Sequence, residues 1–125
     1  MKAKCICALD YGTKYCGVAY SPNGINVFPL QVIPPAEIEP YLSTLIAEKG
    51  IERFVIGLPL STDGSENLLC KKVRQFARRI GRQFDLPIDF VDERFSSKSA
   101  VTIPTTERID DRAAAQILEY YLAQY

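Results

Sequence analysis

Short apolar runs closed by turn signals alternate along this chain with longer stretches in which apolar residues recur every three or four positions. Residues 3–10, 15–21 and 25–33 read as three strands joined by short links, Gly12 in the first and Pro22-Asn23-Gly24 in the second. Asn-Gly between apolar runs is a hairpin signal, so the first third is expected to be an antiparallel meander. Pro34-Pro35 ends it. Ile38, Leu42, Leu45 and Ile46 then recur at helical spacing until Gly50, with Pro40 tolerated in the first turn. Residues 52–58 hold the continuous apolar run Phe54-Val55-Ile56-Gly57-Leu58, the pattern of a central strand buried on both faces. A polar loop, Ser61-Thr62-Asp63-Gly64, follows, and Asp63 or Ser65 is the expected cap of a helix over about 66–84. Leu69, Val73, Phe76, Ala77, Ile80 and Phe84 form its apolar stripe. Leu86 to Val91 is a further strand, a short helix is expected to start near Ser96, and a final helix runs from about Asp110 to Leu122. No repeat or linker interrupts the pattern, so residues 1–125 are expected to form one domain.

The order strand-strand-strand-helix-strand-helix-strand-helix makes the later strands parallel neighbours through right-handed crossovers. Sites in such sheets gather at the carboxyl ends of the parallel strands. Three ends then matter: Asp10, Gly57-Leu58-Pro59 and Asp92-Glu93. With the first strand parallel to the crossover strands, Asp10 and Glu93 share a rim, and Gly57 between them leaves room because it has no side chain. Asp10-Tyr11-Gly12 also reads as an ordinary turn in which Asp10 caps its own backbone. On the final helix, Ala113, Ala114, Ile117, Leu118, Tyr121 and Leu122 form the apolar stripe. Asp110 falls roughly 30° from its middle and Asp111 roughly 70° away, at 100° per residue. Asp110 therefore points inward, although an aspartate opening a helix also serves as its N-cap.

Composition narrows the chemistry. The chain has no histidine, which removes Ser-His-Asp and Cys-His catalysis and histidine metal sites. The four cysteines, Cys5, Cys7, Cys16 and Cys70, lack zinc-site spacing and read as buried apolar filler in a reducing cytoplasm. The apolar run before Asp10 is too short for a secretory signal or a membrane span. Lys plus Arg equals Asp plus Glu at 15 each, so whole-chain charge does not mark an indiscriminate polyanion binder. The distribution is less even: Lys71, Lys72, Arg74, Arg78, Arg79 and Arg82 share the polar side of the 66–84 helix, and no acid falls between Glu66 and Asp85. Such a face is either plain solvated surface or an attractor for a polyanion. Carboxylates crowded on one rim repel, and a divalent cation resolves the repulsion; oxygen ligands without histidine favour Mg²⁺ or Mn²⁺. A pair of such ions can drive phosphodiester hydrolysis without a histidine base.

Four stretches in order, Leu9-Asp10-Tyr11-Gly12-Thr13-Lys14 with Gly17-Val18-Ala19, Val55-Ile56-Gly57-Leu58-Pro59-Leu60 leading into Asp63-Gly64-Ser65-Glu66, Asp92-Glu93-Arg94, and Asp110-x-x-Ala113-Ala114-x-x-Ile117-Leu118, resemble the YqgF/RuvX family over essentially the whole chain. Its bacterial members are described as Holliday junction resolvases and as pre-16S rRNA nucleases. The resemblance implies an α/β, ribonuclease H-like fold, here a mixed five-stranded sheet made of the three-stranded meander and two parallel strands, with flanking helices. It also implies cleavage of structured RNA or branched DNA dependent on Mg²⁺ or Mn²⁺, and its acidic residues carry over to Asp10, Glu93 and Asp110 as catalytic and metal-binding candidates. Candidates for substrate contact are Lys14 and Arg94 within the motifs, and Arg74, Arg78 and Arg82 on the basic helix. Tyr15-Cys16 departs from the family's usual basic-aliphatic pair. Processing of the 5′ end of pre-16S rRNA is the preferred expectation and junction DNA the alternative, in a cytoplasmic, non-membrane protein, monomeric or homodimeric. Two other classes stay open: a silent RNA-binding module, and an actin-like phosphate-binding protein, for whose adenosine-binding lobe the chain has no room.

Overall fold

A computed structural model describes residues 5–96 and 111–124. Five strands, β1 (Ile6–Tyr11), β2 (Cys16–Ser21), β3 (Phe28–Ile33), β4 (Arg53–Leu58) and β5 (Ile88–Asp92), form one sheet in the order β3-β2-β1-β4-β5. β1 pairs antiparallel with β2 and parallel with β4, β2 pairs antiparallel with β3, and β4 pairs parallel with β5. This is the expected meander joined to two parallel strands. The helices are α1 (Ile38–Lys49), α2 (Leu68–Phe84), the single turn α3 (Glu93–Ser96) and α4 (Asp111–Ala123). Among the described residues no helix is long and apolar enough to cross a membrane.

Alternation along β1 divides the interior into two cores. Cys5, Cys7 and Leu9 point to one face, where Val18, Phe54 and Ile56 join residues of α1 and α2. Ile6 and Ala8 point to the other, where Val55 and Val91 meet Ile117, Leu118 and Tyr121 of α4. β4 serves both cores, which is why its sequence is apolar without interruption. The cysteines are all free thiols and buried, and burial raises Cys7 and holds Cys16 up at about 12, so they act as small apolar side chains. Two residues back along the sheet from the level of Asp10, Tyr121 donates a 2.6 Å hydrogen bond to Asp89, whose carboxylate also pairs with Arg53 at 2.9 Å, tying α4 to β4 and β5.

Three local expectations are corrected. β3 begins at Phe28 rather than residue 25, because the Asn23 side chain accepts from the backbone N–H groups of Ile25 and Asn26 and donates to the Asn26 side chain, which prolongs the turn. The cap of α2 is neither Asp63 nor Ser65. Asn67 Oδ1 accepts from the Cys70 N–H at 3.0 Å, while its amide donates to the Pro59 carbonyl and the Ser61 hydroxyl, both at 3.0 Å. Asp63 is occupied within its own turn by the N–H and hydroxyl of Ser65. The short helix starts at Glu93 and ends at Ser96, because Asp92 accepts from the Arg94 N–H at 2.9 Å and so breaks the strand into a helical turn.

Asn67 thus both caps α2 and fastens the loop after β4. Asn67→Ala is expected to destabilise the fold by about 1–2 kcal/mol, the upper part of the capping range, and Asn67→Asp, which keeps the acceptor and loses both amide bonds, by less; urea unfolding of the three proteins checks the order.

Candidate active site

Asp10 continues the Ile6–Ala8 side of β1 and faces the α4 core at the carboxyl end of the strand. The next residue points the other way: the Tyr11 ring stacks on Phe76 of α2 at 4.3 Å, and this contact fixes the end of the strand that carries Asp10. On one side Asp10 is in register with Gly17 of β2. On the other, Leu9 pairs with Ile56, which puts Asp10 level with Gly57 of β4. The carboxylate therefore stands between two positions without side chains.

Glu93 fills the space above Gly57. A Cβ on Gly57 would lie 2.5 Å from Glu93 Oε2, 2.8 Å from its Cγ and 2.5 Å from Ile117 Cδ1. The Glu93 side chain is thereby brought to Asp10, and the two carboxyl groups are hydrogen-bonded to each other. Burial raises the pKa of Asp10. Burial, the Asp10 charge and the hydrogen bond to it push Glu93 up to about 8, so the pair favours sharing a proton near neutral pH.

Asp92 is in a different environment. Arg94 grips both its oxygens, Nη2 at 2.8 Å and Nε at 3.1 and 3.2 Å, and the pairing lowers its pKa. Arg94 Nη1 also donates to the Thr62 carbonyl at 3.2 Å, so this ion pair fastens the loop after β4 to the end of β5. The sequence offered Arg94 as a substrate contact; the structure gives its guanidinium two protein partners, a link that only the Asp92-x-Arg94 spacing hinted at.

The remaining candidates are dispersed. Lys14 is exposed on the turn between β1 and β2, at the end of β1 that carries Asp10. Arg74, Arg78 and Arg82 belong to α2, whose packing residues lie in the core on the opposite face of the sheet from Asp10 and Glu93. They therefore stand across the sheet from the acids, and Arg74 is paired with Glu66 as well. Asp110 lies outside the described residues. Among those that are described, no group of three His, Cys, Asp or Glu side chains is placed to hold a metal.

The donor set nevertheless fits a hard divalent cation. Mg²⁺ is commonly held by one or two carboxylates and completes its octahedron with water and substrate phosphate. Asp10 and Glu93 provide two carboxylates that cannot both ionise without a neutralising charge, and the shared proton occupies the role a cation would take.

A mixed sheet of this order, with half-buried carboxylates at the carboxyl ends of its parallel strands, defines a ribonuclease H-like α/β protein. Its fold matches that of RuvC from T. thermophilus, solved in complex with a Holliday junction substrate, with a TM-score of 0.64 at 12% identity over 96% of this chain and 94% of that one. A family profile, RuvX: Holliday junction resolvase, matches residues 4–124, and the chain belongs to that family. A relative from Maridesulfovibrio salexigens is 37% identical over 95% of this chain and 98% of its own, and one from Ruegeria sp. (strain TM1040) is 35% identical over 94% and 77%. Both carry the name "Putative pre-16S rRNA nuclease". The family makes this chain a nuclease, a hydrolase of phosphodiester bonds.

The proton on Glu93 has a measurable consequence in protein free of divalent cations. Because the folded pKa lies above that of an unfolded glutamate, near 4.3, the folded state retains a proton that the unfolded chain has released between about pH 4.5 and 8. Its contribution to stability is therefore complete below that window and is lost as pH rises through it. Urea unfolding of Glu93→Gln should lack this fall relative to wild type, and Mg²⁺ should restore stability to wild type at pH 8; parallel pH profiles of the two proteins would contradict the shared-proton assignment.

Proposed function

We propose that the chain is a divalent-cation-dependent nuclease that trims the 5′ end of pre-16S rRNA, with Asp10 and Glu93 as metal ligands and Asp110 as the third. The observation that carries this reading is the half-buried, mutually hydrogen-bonded Asp10–Glu93 pair at the carboxyl ends of parallel strands. Bound Mg²⁺ or Mn²⁺ would supply activation of water and neutralisation of charge at the scissile phosphate. The protein's own part is positional. Tyr11 and Phe76 hold the end of β1, Gly57 leaves the space that Glu93 occupies, and Arg94 keeps Asp92 out of the pair. Lys14, on the turn beside this rim, is the cation best placed to meet substrate phosphate there. The rRNA substrate is favoured by the names of the two relatives; the family's own description supports a second reading, resolution of branched DNA junctions.

The test sets purified protein against precursor 16S rRNA and a synthetic four-way junction, with Mg²⁺, with Mn²⁺ and with EDTA. Cleavage of the rRNA precursor that EDTA abolishes is expected, and cleavage that survives EDTA would refute the metal-dependent reading. Asp10→Asn, Glu93→Gln and Asp110→Asn should each lower turnover by about two orders of magnitude or more, as loss of an electrostatic catalytic group does. Asp92→Asn and Asp111→Asn should cost far less, with any loss following stability. Loss of activity in Asp92→Asn with Glu93→Gln still active would reverse the assignment at that pair.

A further inference from the structure

β5 is an edge strand, and α2 packs beside it. Between them runs an open groove of about 730 Å³ that the acid pair does not use. Ile88 and Phe90 line it from β5, and Arg74, Arg78 and Arg82 line it from α2, with Asp85 at the end of the helix as its one acid. Phe90 remains 38% exposed. Arg74, tethered by Glu66, lies over the Phe90 ring with its guanidinium carbon 5.0 Å from the centroid, so an aromatic ring and a planar cation adjoin in the groove wall. Arg78 and Arg82 are exposed and have no acidic hydrogen-bond or salt-bridge partner among the described residues.

We propose that this groove binds a single-stranded nucleic-acid segment, one base stacking on Phe90 and Arg74 while Arg78 and Arg82 meet successive phosphates. The proposal rests on the nucleic-acid-processing reading above and adds where a strand flanking the cut would lie. Residues four apart on a helix are about 6 Å apart along its axis, which is close to the phosphate repeat of an extended single strand. An exposed aromatic ring beside a line of cations is the combination by which single strands are held without sequence preference. A second copy of the chain is a poor occupant, because a two-fold contact here would set arginines against arginines. The groove is also within reach of the acids around the sheet edge. Phe90 lies two residues before Asp92, where the strand ends, about 7 Å at the rise of a β-strand, and Glu93 follows directly.

The test reads binding rather than cleavage. Fluorescence anisotropy of short labelled oligouridylate and oligothymidylate is measured in EDTA across a salt series, so that failure of rRNA cleavage leaves the result interpretable. Phe90→Ala should weaken binding about tenfold, the lower part of the range for losing a stacked base, whereas Phe90→Tyr should keep it. Arg78→Gln with Arg82→Gln should reduce the steepness of the log affinity against log salt plot by about 1.4, or 0.7 per lost phosphate contact. The two oligomers distinguish an RNA strand from a DNA strand, and binding of either supports the groove. Circular dichroism melts show whether each variant is folded, and substitution of an exposed ring and exposed arginines should leave them unchanged. Unchanged affinity and salt slope in both folded variants would overturn the proposal. So would sedimentation showing a wild-type dimer that the double arginine variant dissociates without loss of oligonucleotide binding.

Discussion

Two carboxyl groups held against each other away from water form the constraint on which the rest of this structure depends. Each would ionise readily in solvent; together, partly buried, they keep a proton at neutral pH. Isolated, that is an unfavourable arrangement, and the fold sustains it through neighbouring packing. Gly57 lacks the Cβ that would collide with Glu93, Ile117 of α4 closes over the same spot, and the Tyr11–Phe76 stack holds the end of β1 from the other side of the sheet. Protein elements that keep a strained electrostatic group in place despite its cost mark functional sites more often than structural ones.

The two faces of the sheet divide the work. The face covered by α1 and α2 contains the larger apolar cluster and supplies most of the buried volume. The α4 face is smaller, and its apolar residues give way to Asp10 where β1 reaches the rim. Alternation along one strand thus connects stability to chemistry: the residues that anchor β1 in the larger core are interleaved with those that lead to the acid. The loop after β4 is bound to the same rim by Asn67 at its far end and by Arg94 near Asp92, so three consecutive parts of the chain meet around the pair.

Strand order and the placement of Asp10 beside Glu93 were legible in the sequence because both follow from periodicity and from the rule that crossover strands run parallel. Glu93, named by the resemblance and by the shared rim, does not reach the site as a strand residue. β5 stops at Asp92, which caps the following turn, and Glu93 enters the site from the first residue of a helix. Side-chain capping of this kind depends on local hydrogen bonds that residue type alone does not select, as Asn67 in place of Asp63 or Ser65 also illustrates. The basic face of α2 was legible as a pattern, but its location was not: one-signed charge on a helix carries no information about which side of a sheet the helix will cover. Phe90 went unnoticed because an apolar residue in a strand looks like core, and only the position of β5 at the sheet edge exposes it.

Gly57 leaves the space through which Glu93 reaches Asp10, and the proposed cation site depends on that space. Titration of Mn²⁺ into wild type and Gly57→Ala, followed by calorimetry at pH 8 with circular dichroism on the same samples, tests it directly. Gly57→Ala is expected to stay folded at low temperature but to lose Mn²⁺ affinity by at least about tenfold, the usual scale for disturbing the support of a metal ligand. A folded Gly57→Ala protein that binds Mn²⁺ as wild type does would contradict it.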